Sequence, residues 1–107
     1  MLNRDAILAL PFKSEVVSTP NGDVRVRVIS GAARESYEVL VSGEQQGRIR
    51  ATWVALTACN DDGSRMFSDS DITALSNLDA AFIIPVFEAA MRLNGMAKDS
   101  IEEAEKN

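Results

Sequence analysis

The stretch "SEVVSTPNGDVRVRVIS", residues 14 to 30, constrains the fold more than any other part of the chain. Two runs rich in β-branched residues flank Pro20-Asn21-Gly22, and Asn-Gly is a strong turn pair because both residues accept positive φ. A β-hairpin follows. In its second strand Val24, Val26 and Val28 alternate with Arg25, Arg27 and Ile29, so one face is expected to be buried and the arginine face solvated. A chain of 107 residues has material for one modest core. Residues 1–107 therefore read as a single domain in which everything else packs on the hairpin.

The rest reads as helix. "NRDAILAL" is a short helix with Asn3 as N-cap and Ile7, Leu8 and Leu10 as its apolar side, ended by Pro11. Ser30 caps "SGAARESYEVLVSG", where Ala33, Tyr37 and Leu40 or Val41 recur at helical spacing. In "RIRATWVALTACN", Ile49, Trp53, Leu56 and Cys59 or Asn60 form a core-facing stripe, which predicts a helix running to that end. Ser68 caps a further helix with Asp71 at N3, and Ile72 and Leu75 aim it at the core. A long helix spans Leu78 to Leu93, with Pro85 inside it as a kink or restart and Asn94-Gly95 as its stop. Residues 96–107 are an acidic tail, a last short helix capped by Asp99 that frays because Ile101 is nearly its only anchor. The expected class is α+β: an N-terminal β-hairpin packed against about five helices, with the C-terminal two thirds mostly helical.

Composition removes whole chemistries. There is no histidine and one cysteine, Cys59, so neither an internal disulfide, nor a Cys/His zinc site, nor a histidine-based triad can be built. The Cys59 thiol is expected to be an unreactive core residue beside Asp61 and Asp62. The net charge is −5. Residues 1–58 carry seven basic and six acidic groups and residues 59–107 four and ten, so nucleic-acid binding by the second half is not expected. No apolar run approaches the roughly 20 residues of a bilayer span, and no signal peptide is evident at the amino terminus. A cytoplasmic protein is expected, without cofactor.

The polar stretch "NDDGSRMFSDSD", Asn60 to Asp71, invites a calcium reading. With Gly63 in the sixth place of an EF-hand loop, Ala58 would be first, Asn60 third, Asp62 fifth and Asp69 twelfth. Ala58 cannot coordinate through its side chain, and Asp69 is not the long bidentate glutamate. Neither a metal site nor a catalytic residue is assigned. The stretch reads instead as a tight turn at Asp-Asp-Gly-Ser, a short extended piece burying Met66 and Phe67, and the Ser68 cap.

The signal that remains is an apolar arc on the long helix wider than one small core needs. Ile83, Ile84, Phe87 and Met91 lie beside the stripe of Leu78, Phe82, Val86 and Leu93. They form either a protein interface or additional core.

Taken in order, "RDAIL", "NGDVRVRVISGAARESYE", "RATWVALTACNDDGSRMFSDSDITAL" and "FEAAMRLNGMAKDSIEEAEKN" resemble the tail assembly chaperones of long-tailed (siphovirus-type) bacteriophages and their prophages. The set is an arginine-rich helix, Asp-x-Gly, Phe with a polar cap, Asp-Ile, "RLNG" and a terminal "EKN"; "TACN" and Pro85 depart from the pattern. The resemblance implies a non-enzymatic chaperone that binds the tape-measure protein during tail morphogenesis, self-assembles into rings or spirals, and is absent from the mature virion. It also implies a longer product, made by programmed frameshift, that meets the tail-tube protein. Glu105-Lys106-Asn107 can be encoded GAA-AAA-AAC or GAA-AAA-AAU, which contains a run of the slippery heptamer type. The alternative is a small phage or prophage regulatory or adaptor domain that binds one protein partner.

Overall fold

The computed structural model describes residues 1–96, so the expected tail helix lies outside the described residues. The hairpin is present: β1 (Ser14–Thr19) pairs antiparallel with β2 (Gly22–Arg27), from Ser14 opposite Arg27 to Thr19 opposite Gly22. Its turn differs from expectation, because Gly22 alone takes a positive φ, 130°, and Asn21 does not. Pro20 fixes its own φ near −65° in the first turn position, which closes off the primed turn that needs positive φ at both central residues. Thr19 Oγ1 tightens the turn instead, accepting the Asn21 N–H at 3.1 Å and donating to the Gly22 carbonyl at 2.6 Å.

Five α-helices are found among the described residues: α1 (Arg4–Leu8), α2 (Gly31–Ser42), α3 (Ile49–Thr57), α4 (Ile72–Ser76) and α5 (Ala80–Leu93). The caps explain their starts. Asn3 accepts the Ala6 N–H at 2.9 Å, Ser30 that of Ala33 at 3.0 Å, and Asp79 that of Ala81 at 2.9 Å. Before α4 a 3₁₀ turn covers Asp69–Asp71, and the Asp71 carboxylate reaches back to the Ser68 N–H at 2.9 Å. The fold is α+β, as expected.

Helix α3 forms the centre. Every residue from Ala51 to Thr57 is buried, so its apolar surface is a full circumference rather than a stripe. The hydroxyls of Thr52 and Thr57 are accommodated by donating to the Arg48 and Trp53 carbonyls, at 2.7 and 2.6 Å. Trp53 is wholly buried with its ring centroid 4.9 Å from that of Tyr37.

The helix stops at Thr57, short of the expected end. Ala58–Cys59 form a third strand, β3, antiparallel to β2 with Val26 opposite Ala58 and Arg25 opposite Cys59. The sheet order is β1-β2-β3. This strand also corrects the reading of the arginine face: Arg25 and Arg27 are half-buried, with Arg25 held near Asp61 at 3.7 Å and Arg27 lying 5.2 Å over the Phe12 ring. Met66 is likewise exposed, at 43%, while Phe67 packs on the core. Neighbouring residues of an extended segment face opposite ways, and here Phe67 takes the core side and Met66 the solvent side.

Helix α5 packs against α3 on one side and β1 and β2 on another. That double contact accounts for its wide apolar arc. It runs through Pro85 as one helix, and the missing proline N–H leaves the Ala81 carbonyl without its intrahelical donor. Its C-terminal end is tied to the sheet by Arg92 with Glu15 and by Asn94 with Ile29.

Candidate protein interface

Of the four residues singled out as interface candidates, the structure places Ile83, Phe87 and Met91 in the core, each 7% exposed, and leaves Ile84 40% exposed. The spacing that brings Ile83, Phe87 and Met91 onto one line of the helix points that line at α3, and Ile84 is rotated away from it. Phe87 is covered further by the Arg50 guanidinium, 5.5 Å from its ring.

Ile84 is not isolated. It lines, with Ile83, a surface groove of about 830 Å³ bounded by the end of α2, the turn into α3 and the junction between α4 and α5. Val41, Ile49, Leu78 and Ala80 supply further apolar wall, and Ser42, Gln46, Arg48 and Arg50 supply the polar side. Leu78 is half exposed. The turn is made possible by Gly47, whose φ of 82° a side chain would strain. An apolar floor beside donors that fix orientation is a common arrangement for receiving a helical or extended segment.

A second exposed apolar surface was not singled out in the sequence. Helix α1 buries none of its residues, and Leu2, Ile7, Leu8, Leu10 and Phe12 are all about half exposed or more, with Leu8 at 70%. The clue was available: two of them, Ile7 and Leu8, sit on a helix too short to be stable without an apolar partner, and Leu10 follows just beyond it. The segment leaves the sheet where Lys13 accepts the Val28 N–H, close to the C-terminal end of α5. The groove lies at the other end of that helix.

The polar stretch forms no cluster. Asp62 accepts the Ser64 N–H at 2.9 Å, Asp69 pairs with Arg65 at 2.7 Å, and Asp71 caps the following turn, so the carboxylates are spent on separate local tasks. The two bonds from Ser64 hold the Asp62 carboxyl below the usual range. Arg65 also donates to the Ala55 carbonyl at 3.0 Å and so fastens the loop to α3. Burial pushes the Cys59 thiol up against the opposing pull of Arg27 and Arg25, two cations that β2 brings beside it. Among the described residues no three metal-ligating side chains converge.

No family model matches the chain, and no curated protein matches it in sequence. Among solved structures it is similar to the tail assembly chaperone of bacteriophage HK97, with a TM-score of 0.57 and 15% identity over 88% of this chain and 92% of that one. At that identity the likeness is one of fold, and it spans both the hairpin and the helices.

Proposed function

We propose that the chain is a phage tail assembly chaperone, a non-enzymatic protein that holds a tape-measure protein soluble in the host cytoplasm until tail-tube subunits displace it. The observation that carries this reading is the fold shared, over most of both chains, with the HK97 tail assembly chaperone. The surfaces agree with it. A core that closes on itself still leaves a groove and an apolar N-terminal segment open, as a protein whose task is contact with other chains requires.

A tape-measure protein is long, helical and repetitive. Covering it calls for many weak, repeated contacts, which self-assembly of a small subunit into a ring or spiral supplies through effective concentration. Each contact stays weak enough to be surrendered in turn. Of the apolar arc, the part available for such contacts is Ile84 and its groove; Ile83 reaches the groove wall, while Phe87 and Met91 support it from within.

The test is coexpression with a tape-measure protein. The client is expected to stay in the soluble fraction and co-elute with the chaperone; equal precipitation with and without it would overturn the reading. The proposed longer product has its own check in the codons of Glu105-Lys106-Asn107, where GAG-AAG would remove the basis for slippage.

A further inference from the structure

We infer that the groove between α2, α3 and α5 receives an acidic amphipathic helix of the client protein, with apolar side chains on the groove floor and carboxylates against the start of α3. The inference rests on the chaperone reading and deepens it by naming the chemistry of the segment that is held.

Charge selects the occupant. The chain as a whole carries −5, yet the residues lining the groove include two arginines, Arg48 and Arg50, and no carboxylate. Asp79, next to the groove in sequence, is engaged in capping Ala81. Arg48 makes no ion pair among the described residues, and its guanidinium has only a long contact, 3.5 Å, with the neutral amide of Gln45.

The place of Arg48 in the fold sharpens the point. It is the N-cap of α3, whose first turn holds no acidic residue and whose start has no side-chain cap. The helix dipole puts partial positive charge at that end, so a cation there is the reverse of what favours the helix by itself. A partner carboxylate relieves that repulsion and pairs with Arg48 at once.

The floor sets the rest of the match. Val41, Leu78 and Ile84 offer apolar surface, with Leu78 and Ile84 50% and 40% exposed. A helix with large apolar residues on one side and glutamates on the flank turned to α3 meets both demands. The volume of about 830 Å³ is that of a small-molecule pocket, so the groove takes side chains from about one or two helical turns and each contact is weak.

The test titrates the full chain into two labelled peptides of about 18 residues, long enough to hold a helix, and follows fluorescence anisotropy. The peptides share a leucine face and differ in their flank, glutamate in one and lysine in the other. The glutamate peptide is expected to bind at least about tenfold more tightly, against the order that a net charge of −5 alone would give. Arg48→Asp is expected to weaken its binding by about tenfold or more, while Arg48→Lys keeps most of it. Because aspartate suits the start of a helix, Arg48→Asp should also raise the urea midpoint, so that its loss of binding is not a loss of fold. Ile84→Asp, checked for folding by circular dichroism, should lose binding from the apolar side.

The inference is overturned if the lysine peptide binds as well as the glutamate peptide, or if Arg48→Asp leaves the affinity unchanged. Glutamate-peptide binding that appears only after Glu102, Glu103 and Glu105 are replaced by glutamine would give the groove to the chain's own tail. Binding that lowers the mass of the chain in light scattering would give it to a second copy; either result also overturns the inference. If neither peptide binds and a coexpressed tape-measure protein stays soluble, the inference falls and the chaperone reading stands. If the glutamate peptide binds as expected while the tape-measure protein precipitates with and without the chain, the chaperone reading falls and the groove keeps its preference for an acidic helix.

Discussion

The side chain of Asn94 accepts the backbone N–H of Ile29 at 2.9 Å, joining the end of α5 to the exit of β2 across 65 residues of sequence. Its amide nitrogen also donates to the Ala90 carbonyl at 2.9 Å, so one side chain closes a helix and clasps the sheet. Asn94→Ala leaves a partly buried N–H without its acceptor and is expected to cost about 1–3 kcal/mol in urea denaturation. Asn94→Asp keeps the acceptor for Ile29 and should lose less.

The reach of Asp71 back to Ser68 predicts a smaller effect. Asp71→Ala should cost about 1 kcal/mol, seen as a lower urea midpoint with an unchanged slope, because a cap is lost while the surface exposed on unfolding stays the same.

Cys59 gives a pH signature. Its thiol is held above its ordinary range by burial, so the folded state favours the neutral form. That contribution is complete below the unfolded thiol's pKa of about 8.5 and is lost as pH rises through the higher folded value. Stability measured from about pH 8 to 10 should therefore fall more steeply for the unmodified chain than for Cys59→Ala. A thiol reagent should label Cys59 only after unfolding.

Salt separates the forces in self-assembly. With a net charge of −5 per chain, copies repel each other while the apolar N-terminal segment is open to contact. Raising sodium chloride from about 20 to 500 mM should increase the assembled fraction at fixed protein concentration, where an ion-pair contact would dissociate.

The local features of this fold were legible in the sequence because short-range chemistry determines them. The hairpin, the Asn3 and Ser30 caps and the Asp71 cap each depend on residues within a few positions. What the sequence concealed was tertiary. Periodicity carried α3 on to Cys59, but pairing with Arg25 and Val26 turns Ala58–Cys59 into a strand. The arc on α5 was recognised, yet its width could not tell whether a sheet or a partner covers the second face. In the structure α3 covers one face and β1 and β2 the other, and the Ile83–Phe87–Met91 line falls on the α3 side, which takes Phe87 and Met91 inside and leaves Ile84 at the groove. The exposure of Leu8 and Leu10 was legible only in part: the helix is visibly too short to stand alone, but nothing local shows what covers its apolar side.

Pro85 divides α5 into two parts with different clocks. Beyond it, Val86 to Leu93 are locked between α3 and the sheet; before it, Ala80 to Ile84 are joined to the rest of the helix by one bond fewer. The first part can fray while the second stays shut, so its amide protons should exchange with solvent well before those of Ala89 to Met91. The wall of the groove thus belongs to the more yielding half of its helix, able to reshape around an arriving segment and release it without disturbing the core.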